Sequence, residues 1–143
     1  MATFNKIQAF VEHVAEKVHN LASDTLKVLL SNDAPSAAAD AVKADLTSEL
    51  STANGYTSGG STTTQSSSAQ SSGTYKLVLG DVVFTASGGT IGPLRYAVLY
   101  NDTPTSPADP LIGWHDYGSS ISLLDTETLT WDADPTNGIL TIA

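Results

Sequence analysis

TYKLVLGDVVFTASGGTIGPLRYAVLYN, from Thr74 to Asn101, is the stretch that decides how the rest of the chain is read. Tyr75, Leu77 and Leu79 alternate with Lys76 and Val78, and Gly80-Asp81 turns the chain into Val82-Val83-Phe84-Thr85. β-branched and aromatic residues at this density favour the pleated, half-buried surface of a strand over a helix. Ser87-Gly88-Gly89 reads as a further turn. Leu94 to Tyr100 (LRYAVLY) is apolar except for Arg95, the pattern of a central strand covered on both faces.

Downstream the same signals continue. Leu111–Trp114 and Ile121–Leu124 read as strands around Gly118-Ser119-Ser120, and Thr128–Trp131 and Ile139–Ile142 flank Asp134–Gly138. Asn137-Gly138 between two alternating runs predicts a tight hairpin. Short strands with turn signals every 8–12 residues or so predict a mainly β chain, a β-sandwich or jelly-roll-like domain.

Upstream, Phe4, Ile7, Val11, Val14, Val18 and Leu21 form one apolar stripe at helical spacing, with Thr3 as N-cap. The expected organisation is an N-terminal amphipathic α-helix within residues 1–22 and a β domain over residues 23–143. Thr25–Ser31 reads as a strand. Residues 40–50 suit a short helix with Val42, Leu46 and Leu50 on one side. The Ser/Thr/Gly-rich run over 56–73 has the composition of a flexible tether, but Thr62–Ser66 and Ser68–Gln70 can equally form polar strands. The ordered reading is preferred. Asn101–Pro110, with three prolines, reads as a stiff exposed loop.

The chain has 143 residues, enough for one domain with its own core. Six Lys and Arg against fifteen Asp and Glu give a net charge of −9, and no Lys or Arg follows Arg95. Phosphate backbones and anionic membranes both need clustered cations, so neither nucleic acid nor a membrane is an expected partner. A chain without cysteine has no thiolate chemistry, disulfide or cysteine-based zinc site. The N-terminus is charged throughout and does not read as a signal peptide, which places synthesis in the cytoplasm.

No catalytic signature emerges. Ser119 or Ser120, His115 and Asp116 could be imagined as a triad, but neighbours in a strand point to opposite faces. On that reading His115 is a surface or interface residue at a strand end. His13 and His19 stand six apart, on different faces of the expected helix, so they are not expected to share a metal. The acidic loop residues lack calcium-loop spacing. Tyr75, Tyr96, Tyr100, Trp114, Tyr117 and Trp131 could line a carbohydrate groove but fit strand core better. No catalytic residue, metal or cofactor is expected.

Three groups of residues carry a resemblance. They are Ser23–Val28 leading into Asn54–Gly60, Arg95–Asp102 leading into Leu111–Trp114 and Asp116–Gly118, and the closing Gly138-Ile139-Leu140. Together they resemble a family of small structural proteins of tailed bacteriophages, some of which serve as capsid decoration or cement proteins. The resemblance implies a non-enzymatic virion protein on the capsid surface of the phage head. Its expected partners are the major capsid protein and copies of itself, with a homotrimer anticipated from shell symmetry. The alternative place is a tail or fibre-base connector or receptor-binding module. For either, the expected contact residues are Phe4, Ile7, Val11, Val14 and Val18 on the helix and Asp102, Pro104, Pro107, Asp109 and Pro110 in the loop.

Overall fold

A computed structural model describes residues 2–143. In chain order the elements are β1 (Phe4–Lys6), α1 (Ala9–Ala15), β2 (Leu26–Ser31), β3 (Ser61–Thr62), β4 (Gln65–Ser71) and β5 (Thr74–Leu79). They continue with β6 (Val82–Thr85), β7 (Ile91–Asn101), β8 (Leu111–Leu123), β9 (Thr128–Trp131) and β10 (Leu140–Ile142). The chain is mainly β, as its patterning implies, in several antiparallel sheets. A five-stranded sheet has the order β1-β8-β7-β2-β3, a three-stranded sheet runs β10-β5-β4, and β6 pairs with β9.

The long β7–β8 pair is the centre of the molecule. Val98, Leu99 and Tyr100 of β7 and Leu111 and Ile112 of β8 are fully buried, as are Leu26, Val28, Leu29 and Leu30 of β2. This continuous burial is what an unbroken apolar run provides. Each such side chain contributes roughly 1.5–3 kcal/mol on leaving water. Leu77 of β5, Phe84 of β6, Trp131 of β9 and Leu140 of β10 join the same hydrophobic cluster, so the three sheets share one core. β8 runs unbroken through Gly118-Ser119-Ser120, where a turn was expected. β7 pairs with β8 on either side of this stretch, Leu94 opposite Ile121 and Tyr96 opposite Asp116, so that residues 117–120 form an irregularity in the strand rather than a turn between two strands.

The expected helix over 4–21 is shorter in the structure. Phe4–Lys6 instead pairs with β8, Phe4 opposite His115 and Lys6 opposite Gly113. The helix ends after Ala15 because Lys17 adopts a left-handed conformation, with φ 69°. The Lys17 N–H then donates to Val14 O and the Val18 N–H to His13 O, at 3.3 and 2.8 Å. This is the reversal that usually carries glycine at its left-handed position. With lysine there, the sequence holds no visible stop signal.

Other corrections have similar causes. Residues 40–50 form only a 3₁₀ turn, Lys43–Asp45, in which the Asp45 carboxylate accepts from the Ala41 and Val42 N–H groups at 2.8 and 3.0 Å. The run over 56–73 is ordered. Tyr56 is buried, its hydroxyl accepts from the Leu30 N–H at 3.1 Å, and Tyr100 Oη donates to Gly59 O at 2.6 Å. β9 and β10 do not form the expected hairpin but lie in different sheets. Asp134 folds the intervening loop by accepting from the Thr136 and Asn137 N–H groups, and the Ile139 N–H then donates to Leu77 O on β5.

Candidate functional site

Strands β7, β8 and β9 line a partly open cleft of about 470 Å³. Leu94, Tyr96, Ala97, Leu129 and Trp131 give it an apolar lining, and Arg95, His115, Asp116, Thr130 and Asp132 supply the polar groups. Tyr117 stands at its rim, 58% exposed. Cross-strand pairing explains the assembly. Ala97 and Phe4 both lie opposite His115, and Tyr96 lies opposite Asp116.

His115 is buried rather than at the surface, 7% exposed, which corrects the strand-end reading. The Trp131 indole N–H donates to its Nδ1 at 2.9 Å. That bond makes Nδ1 the acceptor and leaves the ring proton on Nε2. Burial holds its pKa below the usual histidine value, against the charge of Asp132, so the ring is neutral at pH 7. Phe4 meets the imidazole edge-on at 5.2 Å. Gly113 makes this possible, since a Cβ there would stand 2.5 Å from the Phe4 ring.

At the rim, Arg95 grips Asp116 with two bonds, Nε to Oδ1 at 2.7 Å and Nη2 to Oδ2 at 2.9 Å. The Gly118 N–H also donates to Asp116, at 2.8 Å. Arg95, then Gly118, hold the Asp116 carboxyl below the ordinary carboxylate range. The guanidinium lies 5.3 Å from the centre of the Tyr96 ring, so one aromatic face is already covered by a cation.

In this geometry three of the residues named for the imagined triad have other partners. Asp116 serves Arg95, His115 Nδ1 is taken by Trp131, and Ser120 Oγ donates to Asn32 at 2.8 Å. What remains is a largely apolar hollow, within the size range of small-molecule pockets, with an ion pair at its mouth.

The expected contact residues are not gathered into one surface. Ile7 is fully buried, Phe4, Val14 and Val18 are half-buried, and only Val11, at 57%, is presented to solvent. In the loop, Pro110 is buried, and Pro104 and Pro107 are half-buried. Asp102 pairs with Lys27 at 2.8 Å and Asp109 with Lys43 at 3.1 Å, so the loop is strapped to the body rather than projecting freely.

His13 and His19 meet despite their spacing. The reversal at Lys17 brings their rings to 5.9 Å, with Phe10 at 5.1 Å from His19. His19 Nδ1 lies 3.1 Å from the Asn101 amide, which also donates to Asp24 at 2.6 Å. Burial, reinforced by His13 and opposed by Asp24, lowers the His19 pKa to about 4. No third metal-binding side chain joins the pair among the described residues.

The cleft was not legible in the sequence because its third wall, Leu129–Trp131, reaches β8 only through the tertiary fold. The available signal was an aromatic residue closing an alternating run, Thr128-Leu-Thr-Trp131. No helix among the described residues is long and apolar enough to cross a membrane. Comparison with family models, curated proteins and solved structures finds no match to this chain.

Proposed function

We propose that this chain is a non-enzymatic structural protein of a tailed-phage particle, a capsid decoration protein that binds the major capsid protein on the outside of the head and stabilises the shell. The observation that carries the reading is the cleft, whose principal polar groups are already committed to one another. His115 is occupied by Trp131 and Asp116 by Arg95, an arrangement suited to holding a partner rather than to proton transfer. The residues bearing the phage resemblance, Arg95–Asp102, Leu111–Trp114 and Asp116–Gly118, belong to the same β7–β8 region that forms two of its walls.

In this reading an apolar side chain of a shell subunit enters between Tyr96 and Trp131, and Tyr117 and Arg95 cover its margin. Many identical sites on one particle convert weak individual contacts into firm attachment. The sheets form a β-sandwich or jelly-roll-like body, supported by the single core they share, whose stiffness suits a clamp between subunits.

The test is to purify particles with and without the chain. Assembly should proceed in its absence, while resistance to heat or pressure falls; Tyr117→Ala with Arg95→Ala should weaken attachment of the intact chain. Unchanged particle stability, or absence of the chain from mature particles, overturns the proposal. Hundreds of copies per particle support the shell position, and six or twelve place the chain in the tail instead.

A further inference from the structure

We infer that the protein associates with a second copy of itself through the free edge of β4, forming one continuous sheet across a two-fold axis. Among the named strands, β4 is the conspicuous unprotected edge. β1 and β10 have three residues each, β3 has two, and β6 and β9 have four. β4 has seven, QSSSAQS, with neither proline nor charge, and it ends its sheet without a partner on its outer side. Exposed edges are usually blunted by charge, proline, bulges or shortness, because unpaired N–H and C=O groups recruit another strand. The one irregularity of β4 lies between Gln65 and Ser67, leaving Ser67–Ser71 regular.

The charge pattern permits a second copy at this edge. At −9 per chain, association between copies is opposed over most of the surface. Residues 50–75 contain no Asp, Glu, Lys, Arg or His, the longest such interval in the sequence, and β4 lies within it. β4 itself therefore brings no like charges into contact when two copies meet along it.

Register gives the pairing. Ser72 and Gly73 both have positive φ, 52° and 83°, so β4 and β5 are joined by a two-residue turn with Ser71 opposite Thr74. Such a turn makes Ser71–Thr74 the closing hydrogen-bonded pair, and the ladder then alternates. Ala69, opposite Lys76, turns its backbone toward β5, whereas Ser68 and Gln70 turn theirs outward. A second copy laid antiparallel sets Ser68 against Gln70 of that copy, twice, with Ala69 facing its equivalent on the axis. Ala69 and Gln70 are exposed, and these small or uncharged side chains raise no steric or electrostatic barrier. The inference does not rest on the virion reading, and its two-fold contact departs from the trimer anticipated from shell symmetry.

The chain has no cysteine, so one introduced thiol gives a clean test. Facing residues in a non-hydrogen-bonded pair have Cα atoms ~4.5 Å apart, within disulfide reach. Mild oxidation should convert Ala69→Cys to a covalent dimer, while Val83→Cys, at a site 55% exposed elsewhere, stays monomeric. Sedimentation equilibrium of the unmodified chain should give twice 14.8 kDa at high concentration. Ser68→Pro, which removes an outward N–H and leaves the β5 ladder intact, should shift that equilibrium at least tenfold toward monomer. A monomer at every concentration, a trimer, or equal cross-linking of both cysteine variants overturns the inference. So does a dimer unaffected by Ser68→Pro in a variant whose circular dichroism matches the parent.

Discussion

The β7–β8 and β4–β5 pairs are built from the same local code, alternation interrupted by tight connections, yet they behave as opposites. In β7–β8, Val98, Leu99, Tyr100, Leu111 and Ile112 are fully buried. In β4 no residue is buried, and the strand owes its place to β5, whose Leu77, Val78 and Leu79 enter the core. Strand geometry is common to both; what differs is the number of faces that other elements cover. A pair covered on two faces becomes a framework that fixes side chains around it. A pair with an open edge becomes a surface.

Core truncation gives the largest test of that contrast. Leu99→Ala should cost about 2–5 kcal/mol by denaturant unfolding, whereas Ser67→Ala in β4 should stay within about 0.5 kcal/mol. Comparable losses at both positions would break the distinction. Gly113→Ala comes next, because its new Cβ would press on the Asn5 carbonyl oxygen and on the Phe4 ring and displace β1. A loss of about 1–3 kcal/mol is expected. Adding Phe4→Ala should recover part of it, which a double-mutant cycle measures directly.

Acid should expose the same asymmetry. His19, beside Asn101 at the end of β7, is faced by His13, Asp24 and Phe10, and its folded pKa of about 4 lies below the ordinary 6.5. The unfolded chain therefore binds more protons between these values, and stability falls as pH drops from about 6.5 toward 4. Half-burial limits the effect to about 1–2 kcal/mol. His19→Asn should flatten this part of the stability curve, while Tyr75→Phe on β5 should leave its shape unchanged. A parent curve that rises between pH 6.5 and 4.5 and is unmoved by His19→Asn would refute the assignment.

Smaller effects sharpen the picture of the cleft. Trp131→Phe removes the donor to His115 and leaves Nδ1 without its partner, for about 1–2 kcal/mol. Asp116→Asn should change stability least of all, since both partners of the Arg95 pair are more than a third exposed on the side chain and solvent screens their attraction. On the proposed capsid reading, its stronger consequence is on attachment to particles.

The strands were legible where the sequence carried a period or an apolar run, as from Leu77 to Phe84 and Leu94 to Tyr100. The helix is shorter than its stripe, Phe4–Leu21, because that stripe satisfies helical spacing while the helix end is set by the left-handed backbone of Lys17. The hairpin expected at Asn137-Gly138 failed for a related reason: turn chemistry specifies a local reversal but not the sheet that the next strand joins. Trp131 and His115 are sixteen residues apart, and no local rule links them.

Composition and periodicity by themselves established a mainly β, acidic, cysteine-free chain with a central strand near Leu94–Tyr100, because hydrophobic alternation and charge are properties of neighbouring residues. Only the tertiary structure decided where α1 ends, which strands share a sheet, and that His115, Trp131, Arg95 and Asp116 surround one cleft. Those outcomes depend on long-range pairing and shared burial, whose free energy exists only once distant segments have met.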